Sequence, residues 1–260
     1  TSYARGGYLE SVLEDVLPVS SQPAPRPQQG ATALILVIDR SASMDEWNGN
    51  DPTVTKFTMA KEAARLAVDS LRVGDTIGVL SFDTDTMWNV PVQVIGNDAD
   101  KENIKVQIAA IPKGRSTAIY PALADAASKM RIPDAPSKHI VLITDGREVG
   151  NRGDYESLLD QMRSDSVTLS TIGIGRDADR DLLIRLANLG KGRYYFTEQT
   201  RNIPKIIFRE LNVALKEAVL QGQVQPHPSA ASPVLRGFAP QDVPQLGGYD
   251  ITTPKDDAVT

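Results

Sequence analysis

The chain contains no cysteine. That excludes disulfide staples, thiolate metal sites and cysteine nucleophiles, and it leaves the compartment open, because extracytoplasmic bacterial proteins often lack the residue too. Histidine is almost as scarce. Only His139, at the start of an apolar run, and His227, in a proline-rich tail, are present, so a histidine-based catalytic centre is poorly supplied. No apolar run approaches the roughly 20 residues of a membrane-spanning helix; "ALILVI" has the length of a buried strand. Positive charge is in deficit: the net charge is -5, and no lysine and arginine cluster is interleaved with aromatics. Nucleic acid is therefore not an expected partner, and this stretch is not expected to contact a membrane itself. No signal-like segment opens the chain, and it begins at Thr1 rather than Met, as an excised or processed piece would. The cellular location stays open on these grounds.

What is present suffices for a full core: 260 residues, 41% of them hydrophobic. Residues 1–30 hold a short amphipathic piece, "YLESVLEDVLPV", and then "SSQPAPRPQQG", which reads as an extended linker. From residue 31 apolar strands alternate with helical patterns. "ATALILVID", "DTIGVLSF", "MWNVPVQV", "KHIVLITDG", "SVTLSTIGIG" and "RYYFT" read as strands. "TKFTMAKEAARLAVDSL", "DADKENIKVQIAAI" with an aspartate cap, "STAIYPALADAASKM", "DYESLLDQMRSD", "DADRDLLIRLANLG" and "IPKIIFRELNVALKEAVL" read as helices. Continuous apolar strands between helices predict an α/β, doubly wound, mostly parallel sheet with helices on both faces. The close turn in "SFDTDTMW" adds one antiparallel edge strand. The domain spans residues 31–220, and residues 221–260 form a Pro/Gly-rich extension without helical periodicity.

Ligands of open α/β sheets sit outside the carboxyl ends of the strands. Asp39 ends the first strand and begins the pentad "DRSAS", Asp145 ends "HIVLITD", and Thr117 in "KGRST" precedes a helix, so all three should project from one edge. With Ser41 and Ser43 they make two carboxylates and three hydroxyls. Hard oxygen donors with room for water suit Mg²⁺ or Mn²⁺, with Ca²⁺ a further option. A cation held mainly by neutral hydroxyls keeps positive charge exposed to an incoming carboxylate. Alone, "DRSAS" is also compatible with a helix-capping cluster. An aspartyl-nucleophile phosphatase would want a second aspartate where Ser41 stands. "GIGRDA" lacks the third glycine of a dinucleotide fingerprint, and Asp83 and Asp85 read as turn formers before they read as a second cation site.

Taken together, "DRSAS", Thr117 and "TDG" resemble the three separated segments of the metal-ion-dependent adhesion site of von Willebrand factor type A domains, a Rossmann-like family. Carried over by position, the resemblance implies Ser41, Ser43 and Thr117 as direct ligands, and Asp39 and Asp145 as ligands through water or in alternation with direct contact. It further implies a non-enzymatic, metal-dependent protein-binding module in which a partner Asp or Glu completes the coordination, and a shift of the helix at 203–220 as a switch. Trp47, Arg115 and Arg147 are candidate partner contacts. "GGYLESVLEDVLPV", "GKGRYYFT", "IPKIIFRE" and "PQLGGYDITTPKDDA" resemble bacterial membrane-associated proteins in which such a domain is inserted within a glutamine-amidotransferase-like domain, so that both ends here would be pieces of the host. Ala42 stands where that family commonly has glycine, and "GRST" where its loop is usually glycine-richer. A metal-assisted hydrolase and a structural domain with an unused site are the alternatives.

Overall fold

The computed structural model describes residues 19–20, 31–46, 53–146, 153–217 and 253–254. The chain divides into two units, Gly30–Ala218 and a second made of Thr1–Gln29 with Val219–Thr260. In the second unit, Val19 pairs with Pro254 and Ser20 with Thr253 in a short antiparallel ladder.

The larger unit runs β1 (Thr32–Asp39), α1 (Lys56–Ser70), β2 (Thr76–Phe82), β3 (Thr86–Val94), α2 (Asp98–Ala109), α3 (Ile119–Lys129), β4 (Ser137–Thr144), α4 (Tyr155–Ser164), β5 (Val167–Ile174), α5 (Arg180–Leu189), β6 (Lys191–Thr197) and α6 (Ile203–Glu217). Its six strands lie in the order β3-β2-β1-β4-β5-β6. Every neighbouring pair is parallel except β2 with the edge strand β3. This is the doubly wound sheet expected from the pattern, and the strand order reverses direction between β1 and β4.

Side-chain alternation explains both layers. Leu34, Leu36 and Ile38 of β1 join Phe57, Ala60 and Ala64 of α1, Ile104 and Ile108 of α2, and Ile203, Ile207 and Leu211 of α6 on one face. Ala33, Ile35 and Val37 meet Ile119 and Leu123 of α3, Leu159 and Met162 of α4, and Leu183 and Leu186 of α5 on the other. All eight residues of β1 are buried, as a strand covered on both faces requires. The register pairs Ile38 with Ile143, so the next residues along, Asp39 and Thr144, emerge side by side at the carboxyl edge.

Several boundaries differ from the pattern reading. The cap of α2 is Asn97, which accepts from the Asp100 backbone while the Asp100 carboxylate accepts from the Asn97 N–H; the expected aspartate cap is the first helical residue instead. Helix α3 starts only at Ile119, which leaves Thr117 in a loop stitched down by Gly114 N–H to Arg40 O and Ala118 N–H to Asp83 O. Strand β6 begins two residues earlier, at Lys191. A short 3-10 turn, Ala42–Asp45, follows β1.

One polar group interrupts the apolar face of α6. Glu210 is fully buried and accepts from Ser170 Oγ at 2.5 Å and Arg193 Nε at 2.9 Å. His139 Nε2 lies 3.1 Å from its Oε1, off the direction of an aligned hydrogen bond. Burial opposes the Glu210 charge, but His139, Arg193 and Ser170 outweigh it and carry the pKa down to about 2. A single carboxylate thus ties the last helix to β4, β5 and β6. No helix among the described residues is long and apolar enough to cross a membrane.

Candidate metal centre

The site forms because two central strands end in carboxylates at the point where the strand order reverses. Asp39 is fully buried. Its Oδ1 accepts from the Ser41 N–H at 2.8 Å and its Oδ2 from Thr144 Oγ1 at 2.6 Å. The 3-10 turn then carries the chain across the sheet edge, pinned by Met44, whose side chain is buried and whose N–H donates to Ser41 O. Ser41 Oγ and Ser43 Oγ lie 3.2 Å apart, and Ser43 Oγ donates to Asp145 Oδ1 at 2.9 Å. Asp39, Ser41, Ser43 and Asp145 are therefore joined in one hydrogen-bonded cluster through Ser41 and Ser43.

Thr117 approaches from the third segment. It is 5% exposed. A Cβ placed on Gly146 would stand 2.9 Å from Thr117 Oγ1 and 3.3 Å from Asp39 Oδ2. Both atoms face the same small space beside Gly146, which only a residue without a side chain leaves open. Four of the five expected residues thus form one cluster, and Thr117 borders it.

Burial pushes the Asp39 carboxyl up to about 6; the Asp145 charge acts in the same direction, and the hydrogen bonds from Thr144 and Ser41 only partly offset them. A carboxylate held at that cost is one whose charge a cation would relieve. The cluster has two carboxylates and three hydroxyls, and no group of three or more His, Cys, Asp or Glu side chains with metal-binding spacing exists among the described residues. The donor set is all hard oxygen with few charges, which fits a divalent cation that accepts oxygen ligands, such as Mg²⁺ or Mn²⁺.

Beside Ser41 opens a cleft of about 130 Å³, bordered by Arg40, Ser41, Ala42, Asp45, Phe57, Lys113 and Gly114. Arg115 is exposed on the same loop. Asp83 is fully engaged in its turn, accepting from Arg40 Nη2 at 3.0 Å, from the Asp85 N–H at 3.0 Å and from the Arg115 N–H at 3.3 Å. Burial acts against its charge, yet these partners hold its pKa below the usual carboxylate value. Trp47 and Arg147 lie outside the described residues.

Two residues of the site escaped the sequence reading. Thr144, immediately before Asp145 in "ITDG", orients Asp39 and also accepts from the Gly146 N–H at 3.1 Å. Lys56, the first residue of α1, sends its ammonium to Asp145 Oδ2 at 2.7 Å and Glu46 Oε2 at 2.9 Å. Thr144 was available as a hydroxyl adjacent to a site carboxylate. Lys56 had no such signal, because its reach depends on where α1 begins.

A six-stranded, mostly parallel sheet with serine, threonine and aspartate oxygens gathered at its carboxyl edge defines a doubly wound α/β domain with an oxygen-lined site. The family model that describes the von Willebrand factor type A domain matches residues 33–209. The chain belongs to that family. A von Willebrand factor A domain-containing protein of Dictyostelium discoideum is 27% identical over 188 residues, 70% of this chain and 19% of its own length. The matched stretch covers 19% to 32% of the length of that protein and of two other relatives matched over similar stretches.

Solved structures at lower identity share the fold. A von Willebrand factor type A protein from Catenulispora acidiphila superposes with a TM-score of 0.63 at 21% identity, over 71% of this chain and 43% of its own. An aerotolerance-related membrane protein from Bacteroides fragilis gives 0.57 at 19%, over 70% and 100%. The proximal thread matrix protein 1 of the mussel byssus, solved with zinc in its own adhesion motif, gives 0.59 at 19%, over 71% and 48%.

Proposed function

We propose that the domain is a divalent-cation-dependent protein-binding module. Ser41, Ser43 and Thr117 would hold Mg²⁺ directly, with Asp39 and Asp145 behind them through water or in alternation with direct contact. The observation that carries this reading is the continuous cluster from Thr144 through Asp39, Ser41 and Ser43 to Asp145, with the Thr117 hydroxyl and the Gly146 space beside it. A bound Mg²⁺ would supply an electropositive centre with a coordination position for an incoming carboxylate.

The protein's own part is to fix that centre from behind. Asp39 has both oxygens committed to Ser41 and Thr144, so it holds the turn in place and cannot swing outward without breaking two hydrogen bonds. The zinc-bearing site of the mussel protein supports the reading that the same fold edge accepts a divalent ion. The partner would be a protein presenting Asp or Glu, with exposed Arg115 beside the loop helping to choose it.

A hydrolase on the same site ranks below this reading, because no general base has an obvious assignment. Asp39, with its pKa near 6, has the right range, but it is fully buried and both its oxygens are occupied. We also infer a bacterial, membrane-associated parent in which residues 1–30 and 221–260 belong to a host domain; the likeness to the Bacteroides membrane protein and the grouping of the two ends in one unit support this.

Thermal unfolding with Mg²⁺ against chelator tests the reading. A ligand that binds only the folded state adds about 2.7 kcal/mol at a hundredfold excess over its dissociation constant. The midpoint should rise with millimolar Mg²⁺, and Asp39→Ala or Ser41→Ala should remove the rise. An unchanged midpoint in the wild type would remove the basis for metal-dependent binding.

A further inference from the structure

Lys56 occupies a place that helix chemistry alone does not favour. A cation in the first turn stands at the positive end of the helix dipole, and α1 has no acidic residue in its first turn to offset it. Yet the residue is 9% exposed and its ammonium has three acceptors: Asp145 Oδ2 at 2.7 Å, Glu46 Oε2 at 2.9 Å and Ser43 O at 3.3 Å. Three donors meeting three acceptors is a saturated ammonium.

The surroundings hold it there. The Thr55 side chain and backbone cap α1 reciprocally with Thr58, and the Lys56 N–H donates to Glu46 O. Gly175, just past β5 with φ +83, lies beside it: a Cβ placed there would stand 3.5 Å from Lys56 Cε and Nζ. Two of the three acceptors belong to residues of the proposed site, Asp145 and Ser43.

We infer that Lys56 is a positioning residue that sets the charge of the metal site, keeping Asp145 from direct coordination and leaving a bound divalent ion with surplus positive charge for the partner carboxylate. This rests on the metal-site reading above and deepens it. Asp39 and Asp145 together carry two negative charges, enough to neutralise a divalent ion. With Lys56 counted, the loaded site keeps one positive charge. Glu46 subtracts little from it, because its side chain is 65% exposed and water screens it. A divalent ion bonded to Asp145 would stand within a few ångströms of the ammonium, and that repulsion disfavours the direct bond. The lysine thus trades metal affinity for affinity toward an acidic ligand.

The trade gives the test a sign that loss of structure would not. Calorimetric titration with Mg²⁺ alone should show Lys56→Met binding about tenfold or more tightly than wild type, Lys56→Arg within about threefold of wild type, and Asp39→Ala not binding. Water-proton relaxation with Mn²⁺ should show fewer metal-bound waters in Lys56→Met, because Asp145 then takes a coordination position. Wild type that binds Mg²⁺ beside a folded Lys56→Met that binds no more tightly would overturn the inference and leave the metal site standing. Wild type and Lys56→Met that both fail to bind would overturn the metal site, and the inference with it. If Lys56→Met does not fold, Lys56→Gln decides: it keeps a hydrogen-bond donor toward Asp145 and Ser43 without the charge and should likewise bind Mg²⁺ more tightly than wild type, and unchanged affinity would overturn the proposal.

Discussion

Replacing Glu210 by glutamine tests whether one buried carboxylate fastens the last helix. Its folded pKa of about 2 lies below the ordinary 4.5. For an acid with a depressed folded pKa, the stabilisation is fully present above the unfolded value and is lost as pH falls through the folded one. The window is therefore from about 4.5 down to about 2. The difference of roughly 2.5 pKa values corresponds to about 3 kcal/mol. At neutral pH, Glu210→Gln should lower the unfolding free energy by about 2 to 3 kcal/mol, because the amide keeps the shape and loses the charge that Arg193 and His139 face. Urea unfolding of both proteins between pH 2.5 and 7 should show the gap narrowing steadily below pH 4.5. Parallel curves, with a constant gap or none, would refute the argument, since other carboxylates titrate equally in both proteins.

Asp39 gives the opposite sign. Its folded pKa is raised to about 6, so in chelator its ionisation costs stability as pH rises from the unfolded value near 3.8 through 6, by about 3 kcal/mol in all. Asp39→Asn should flatten that fall in a pH series of denaturation midpoints, and an identical slope in both proteins would contradict it. Gly146→Ala should fill the space bounded by Thr117 Oγ1 and Asp39 Oδ2. Thermal scans should then show the Mg²⁺-induced rise in midpoint lost, while the chelator midpoint changes by much less than a full core truncation would cost. A retained rise would mean that the space is not the cation's.

The carboxyl-edge residues were legible because parallel strands leave little freedom: a strand that is apolar to its last residue must present the next polar one at the sheet edge. Asp39 and Asp145 follow from that rule, and Thr117 from its position ahead of a helix. The cap of α2 was misread because Asn97 and Asp98 are equally good acceptors, and only the backbone decides which precedes the first helical residue. Glu210 could not be found from the sequence. It sits on an otherwise apolar helical face, 40 residues from Ser170 and 17 from Arg193, and pattern alone cannot supply its partners. Lys56 is hidden for a related reason. A lysine at a helix start reads as solvated unless Asp145, 89 positions further along, is known to fold back on it.

Anomalous scattering from crystals of this chain grown with Mn²⁺ would locate the proposed cation at its edge of the sheet. A single strong peak is expected within about 2.2 Å of the Ser41, Ser43 and Thr117 hydroxyl oxygens, with Asp39 and Asp145 behind it, and the peak should vanish in Ser41→Ala. An anomalous map with no peak at that edge at millimolar Mn²⁺, or with its only peak elsewhere on the domain, would contradict the proposed cation site.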